Sequence, residues 1–324
     1  MNKTEVTDPP CITSSLILPP SSFCVPRRAF LAAAPLAALA WPRLATAADS
    51  VRVANRDLIG KLGITTGSFT RNLSPEAAAG KLVLLDLPRI MRDELDLTVI
   101  DLMTATLPSL EAAYCERFRA AAAAAGCVVT NLKMNQKGLD LASPDDAMRR
   151  RSLDTYKQTI DAAARLGCRW VRPASTPAKP DLARLASGLR ELIDYAVPKG
   201  ITLLVENNGW MSRDADSLPR VIAAVGEGVA AQPDTGNWAA DVRYAGLEKA
   251  FPLAVTCDFK AFQLGVAGEH ADYDLRRCFD IAWRAGFRGP WCFEHFNEDL
   301  TAMWHDLRLL RDLIRRWTKE SEPG

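Results

Sequence analysis

From about residue 60 onward, short apolar runs alternate with amphipathic stretches. Eight runs read as strands, at 61–65, 97–102, 127–132, 169–172, 202–206, 229–232, 254–260 and 291–294. Most are hydrophobic almost without interruption, the pattern of parallel strands buried on both faces. Between them, apolar residues recur at helical spacing over 112–125, 144–166, 180–197, 217–224 and 275–285, and a last helix over 300–319 closes the chain. Gly126, Gly167, Gly200 and Gly286 stand just past four of these stretches, where a residue that tolerates the left-handed conformation stops a helix. Strand–helix pairs repeated in this way predict a (β/α)8 TIM barrel, with functional groups gathered at the strand C-terminal ends. An open, doubly wound sheet is the alternative. It is the weaker one, because no Gly-x-Gly-x-x-Gly follows an early strand.

The segment before the first strand has another character. Val25-Pro26-Arg27-Arg28-Ala29-Phe30-Leu31 is a twin-arginine pattern, followed by a mild apolar stretch over 29–41 and the small-residue run Ala45-Thr46-Ala47. The apolar stretch is too short to span a bilayer. Residues 1–47 are therefore expected to be a leader read by the twin-arginine export machinery, and residues 48–324 a periplasmic barrel with no membrane span. The leader carries four basic residues against two acidic ones, so its removal takes the net charge from +1 to about −1. That balance gives no support to nucleic-acid binding, and Arg149-Arg150-Arg151 reads as a solvated helix start. The remaining cysteines, at 115, 127, 168, 257, 278 and 292, mostly lie in apolar strands without CxxC spacing, as core thiols do.

Chemistry enters at the strand ends. Strand five ends in Glu206, and the run into strand six ends in Asp234, each followed by amides and glycine. Parallel strands joined by a helix put both acids on one rim. Thr256, Asp258 and Lys260 share one face of strand seven, and Cys292 and Glu294 share one face of strand eight. Glu206, Asp234, Asp258 and Glu294 thus end four consecutive strands. Four converging oxygen donors suit a hard cation such as Mg²⁺ or Mn²⁺. Lys260 is placed to polarise a substrate oxygen or to pair with Asp258. Arg172 and Lys133, at the ends of strands four and three, are candidates for substrate contact. Glu269 and His270 lie in a Gly-flanked loop after strand seven, a candidate lid. His295 follows Glu294 at the site edge. Trp210 and Trp238 follow two of the acids and could wall a sugar face.

The residues 200–297 resemble the xylose isomerase-like TIM-barrel superfamily, which includes sugar isomerases, keto-sugar epimerases, inosose dehydratases and endonuclease-IV-type enzymes. The matching pieces are Val205-Glu206-Asn207, Asp234-Thr235-Gly236-Asn237, the strand ending in Lys260, Gly268-Glu269 with Asp272-Tyr273, and Gly286-Phe287 with Gly289 before Glu294. The resemblance implies metal ligands at Glu206, Asp234, Asp258 and Glu294. Asp258 is a departure, since many members have His there. Asn237 is another, standing where sugar epimerases often have a substrate-binding His.

The resemblance implies an enzyme that moves a proton next to a carbonyl on a sugar or keto-sugar, with Glu206 and Glu294 as base and acid and a divalent metal holding the substrate oxygens; the expected export, with no Gly-rich phosphate cradle in the sequence, points to a non-phosphorylated one. Isomerisation, epimerisation and β-elimination share that first step, so a lyase stands as runner-up and a non-catalytic sugar-binding barrel as a third reading. Phosphodiester hydrolysis needs a His-rich multi-zinc site, and the chain holds three His in all. The partner implied is a small carbohydrate; assembly into a homo-oligomer is neither required nor excluded.

Overall fold

A computed structural model describes residues 55–322 apart from Pro75 and Pro177. The expected leader lies outside these residues. Eight strands form one parallel sheet: β1 Leu62–Thr65, β2 Val99–Met103, β3 Val128–Met134, β4 Trp170–Pro173, β5 Thr202–Val205, β6 Val229–Ala231, β7 Cys257–Lys260 and β8 Trp291–Glu294. The order is β6-β5-β4-β3-β2-β1-β8-β7. β1 pairs with both β2 and β8, which an open sheet beginning at its first strand would not do. The remaining seam, between β6 and β7, is closed by isolated parallel bridges Ala231↔Ala254 and Asp234↔Asp258. The structure is therefore an α/β TIM barrel, and the open doubly wound alternative does not apply.

Strand boundaries move by up to three residues from expectation. The largest shift is at β7, which starts at Cys257 because only Ala254 bridges across the seam before it. The helices are α1 Leu87–Leu95, α2 Ala112–Ala124, α3 Asp146–Leu166, α4 Leu182–Ala196, α5 Ser217–Val225, α6 Arg243–Ala250, α7 Leu275–Arg284 and α8 Leu300–Ser321. α1 and α6 were not expected. α6 is short and carries Gly246, so it shows no sustained apolar period; α1 repeats Leu87, Met91 and Leu95 at helical spacing, but over only nine residues with a proline in the first turn. Four of the longer helices start at an aspartate whose carboxylate accepts a backbone N–H of the first turn: Asp145 for α3, Asp181 for α4, Asp274 for α7 and Asp299 for α8. Such a cap contributes about 1 kcal/mol and complements the helix dipole. Arg149, Arg150 and Arg151 fall in the first turns of α3. All six described cysteines are buried free thiols, as expected, and no described helix is long and apolar enough to cross a membrane.

The barrel interior is layered. A floor of Val99, Trp170, Leu204, Ala230, Val255 and Cys292, joined by Leu58, forms a buried apolar cluster of its own, separate from the larger core between strands and helices. Side chains alternate along a strand, so two residues beyond the floor the same strands deliver Asp101, Arg172, Glu206, Gln232 and Glu294 to the layer above. Gly63 on β1 lets the sheet close tightly there, since an added Cβ would lie 2.6 Å from Val99.

Candidate active site

The rim is built from strand ends and the turns that follow them. After β5, Asn207 locks onto the next strand end: its Nδ2 donates to the Asp234 carbonyl at 2.9 Å, and its Oδ1 accepts the Asp234 N–H at 2.7 Å. Asp234 then caps its own turn, with Oδ1 accepting from Gly236 N at 2.7 Å and Asn237 N at 3.0 Å. This side chain is fixed by backbone on one oxygen, and the other faces the interior.

Glu206, Asp234 and Asp258 are buried, and each offers an oxygen within 4.8 Å of the others. Glu206 Oε1 accepts from Asn237 Nδ2 at 2.9 Å, and Glu206 Oε2 lies 3.0 Å from Arg172 Nε. Asp258 Oδ1 meets Lys133 Nζ at 2.6 Å and Gln232 Nε2 at 3.2 Å. Lys260 Nζ stands 2.9 Å from Asp234 Oδ2 and 3.2 Å from Glu294 Oε1, and donates to Asn237 Oδ1 at 2.6 Å. Four carboxylates are thus interleaved with three cations. Beside them Asp101 accepts from Thr130, and Asn131 Nδ2 donates to Gln232 Oε1 at 3.0 Å, which extends the polar network.

Glu206 Oε2, Asp234 Oδ2 and Asp258 Oδ2 are buried yet accept no aligned hydrogen bond from a described residue; the contacts of the first two are ion pairs only. An unsatisfied buried carboxylate oxygen is costly. Only Asp258 Oδ2 of the three lacks a charged partner as well; Glu206, Asp234 and Asp258 together each offer a carboxylate oxygen within 4.8 Å of the others, a donor set suited to a hard divalent cation, so the residues fit such an ion. Burial pushes Asp234 up to about 6, against the pull of Lys260, and Glu294 and Glu206 add to the rise. Burial likewise raises Asp258 far above the usual carboxylate range despite Lys133. Burial also acts upward on Glu294, but Lys260 and Lys133 outweigh it and hold Glu294 low.

The other sequence candidates divide. Arg172, Asn237 and Lys260 stand among the acids. Lys260 pairs with Asp234 and Glu294 rather than with Asp258, which Lys133 already holds from across the barrel. Trp210 is half-buried and lines a recess with Arg172, Glu206 and Asn208. Trp238 does not wall the site: it is 1% exposed in the core, its ring against Gly246. His295 is not at a free edge, because its Nδ1 donates to Ala261 O at 2.6 Å and its Nε2 lies 2.9 Å from Asp306 Oδ2. Glu269 and His270 line a separate surface cavity with Arg276, Arg316 and Trp317, and His270 stacks on Tyr273.

Residues 93–320 match the family described as Xylose isomerase-like TIM barrel. The chain belongs to that family. Among solved structures, a xylose isomerase domain protein from Planctomyces limnophilus superposes with TM-score 0.63 at 18% identity, covering 81% of this chain and 98% of that one. A D-psicose 3-epimerase from Clostridium cellulolyticum H10, solved with D-tagatose, gives TM-score 0.61 at 14% identity over 79% of this chain and 98% of that one. A curated relative, the probable endonuclease 4 of Natronomonas pharaonis, is 29% identical over 140 residues, which is 42% of this chain and 49% of the relative. The chain therefore matches about half the length of that relative.

The features of this family member that sequence reading missed are the pairings. Lys133 on Asp258 joins strands that are far apart in sequence, whereas Arg172 on Glu206 joins the consecutive strands β4 and β5, and Gln232 on Asp258 joins the end of β6 to β7. The available signal was period two: Asn131 with Lys133, and Gln232 with Asp234, are polar residues in phase within otherwise apolar strands.

Proposed function

We propose that this protein is a divalent-metal-dependent enzyme that moves a proton next to the carbonyl of a sugar or keto-sugar, as isomerases and epimerases do. The observation that carries the reading is the set of three buried carboxylates, Glu206, Asp234 and Asp258, each offering an oxygen within 4.8 Å of the others. Membership of a family whose structural neighbours include a D-psicose 3-epimerase supports it. Glu206, Asp234 and Asp258 would hold the ion, with Glu294 beside them. A bound Mg²⁺ or Mn²⁺ would supply a Lewis acid for the charge that grows on the substrate carbonyl oxygen.

The chain's own residues do the rest. Glu206 is held by Asn237 on one oxygen and by Arg172 on the other, which fixes a carboxylate for taking a proton from carbon. Glu294, held by Lys260, is the second proton carrier, and takes its proton from solvent before it returns one to carbon. Exchange at one carbon inverts it, whereas transfer to the neighbouring carbon isomerises. Phosphodiester cleavage, suggested by the endonuclease relative, is not favoured by an all-oxygen donor set, since that chemistry relies on histidine-bound zinc. The substrate is proposed to lack phosphate, on the strength of the twin-arginine leader.

The test is solvent exchange. With Mn²⁺ or Mg²⁺ present, incubation in D₂O with candidate ketoses or 3-keto-glycosides is expected to place deuterium on the carbon beside the carbonyl. Glu206→Gln and Glu294→Gln should each slow this by roughly 10²-fold or more, the scale of a lost general acid or base. Exchange undiminished in both variants would remove them from the mechanism. No exchange by the wild type across the screen would favour a sugar-binding barrel.

A further inference from the structure

The acid ring contains a cation of its own at its centre. Lys133 reaches from β3 to Asp258 on β7, strands that are not neighbours, so its side chain crosses the barrel axis. It is 1% exposed, and its ammonium donates to Thr65 Oγ1 at 3.0 Å as well as to Asp258 Oδ1 at 2.6 Å. Lys260 is different in kind. Its side chain is 14% exposed at the rim, bridging Asp234 and Glu294. Burying an ammonium costs several kcal/mol unless the acids around it are well placed. Lys133 takes one oxygen of Asp258 and leaves the other, Oδ2, without an aligned partner. A divalent ion arriving at Glu206, Asp234 and Asp258 therefore meets a carboxylate already half engaged and a positive charge held close to it.

We infer that Lys133 is an internal counter-ion, a positioning residue that assembles the acid ring before any metal arrives and weakens the binding of the metal that follows. The inference rests on the metal reading proposed above. The ring with Lys133 in place needs no divalent ion to stay folded. Without Lys133, the same acids would repel one another, and the metal would become both tighter-bound and structurally necessary.

The experiment measures Mn²⁺ affinity by calorimetry and melting with and without EDTA on the purified protein, for the wild type, Lys133→Met and Lys133→Met/Asp258→Asn. Methionine keeps the unbranched chain and removes the charge. Lys133→Met is expected to bind Mn²⁺ about tenfold tighter or more, the scale of removing one charge near a divalent ion in a partly screened site. Its EDTA-treated form should melt below the wild type, and Mn²⁺ should raise its melting point by more than it raises the wild type's. The double variant should recover EDTA-state stability and lose the gain in affinity. A lysine with a merely structural role would leave affinity unchanged or lowered, and that result in a folded Lys133→Met overturns the inference. If Lys133→Met fails to fold in EDTA, folding restored by Mn²⁺ supports it, and folding restored only by Asp258→Asn overturns it. Absence of Mn²⁺ binding by all three forms overturns the metal reading and this inference together. Binding by the wild type without a gain in the variant overturns this inference alone.

Discussion

Floor and rim of this barrel come from the same strands, two residues apart, and differ in almost every physical respect. Val99, Trp170, Leu204, Ala230 and Cys292 form a buried apolar floor. One pleat further on, Asp101, Arg172, Glu206, Gln232 and Glu294 stand with Lys133, Asp234, Asp258 and Lys260 in a network of charges and amides. The floor gains stability by excluding water and by close packing. The rim gains little net stability from its pairs, because the cost of removing each charge from water offsets most of the attraction. The difference places stability at one end of each strand and chemistry at the other, as barrels of this class do.

The largest expected effect tests the floor. Trp170 is fully buried in the floor, and Trp170→Ala should cost about 3–5 kcal/mol in denaturant unfolding, the usual range for a large aromatic removed from a core. Mn²⁺ affinity of the fraction that remains folded should change little. A variant that keeps its stability but loses metal binding would mean that floor and rim are one cooperative unit, and the comparison above would fail.

The fold and the acids were legible, and the reasons can be stated. Long apolar runs in a parallel barrel are forced by burial on both faces, so eight of them announce the sheet before any contact is known. Glu206, Asp234, Asp258 and Glu294 each interrupt or end such a run, where an acid has no other apparent reason to be. The pairing of Lys133 with Asp258 was not legible, because it depends on which strands face each other across the axis: the two residues are 125 apart in sequence. Trp238 and His295 were misplaced for a related reason. Each follows an acid in sequence, but the turn directs Trp238 outward onto α6, and His295 turns toward Ala261 and Asp306 of α8. Adjacency in sequence next to a rim residue does not predict direction once the strand has ended.

His295 supplies the intermediate test. Its ring ties the segment after β7, through Ala261, to α8 through Asp306. His295→Ala leaves the buried Ala261 carbonyl without this donor and should cost about 1–3 kcal/mol, the penalty for an unsatisfied buried group. Because the ring faces away from the acids, the substrate KM should stay near that of the wild type while the protein remains folded. A raised KM at unchanged stability would return His295 to the substrate.

The smallest effect is expected at Trp210, and it bears on the rim alone. Gly209, with φ 59, makes the turn that carries Trp210, and an added Cβ there would lie 2.3 Å from Thr176 O, so the turn has little freedom to change. The ring is half-buried beside Arg172 and Glu206 in the recess, with Lys179 Nζ 5.8 Å from its centroid. A flat apolar ring beside a charged carboxylate offers a stacking surface to the C–H face of a sugar, and such a contact contributes about 1 kcal/mol. It acts equally on the bound substrate and on the transition state, so its loss raises KM and leaves kcat alone. Trp210→Ala should raise KM roughly fivefold, and Trp210→Phe, which keeps a ring, should recover most of it. Unfolding free energy should fall by less for Trp210→Ala than for Trp170→Ala, because the Trp210 ring is partly in water already. A drop in kcat with KM unchanged would show instead that Trp210 acts on Glu206 or Arg172 rather than on the sugar, and that the recess is part of the proton-transfer apparatus.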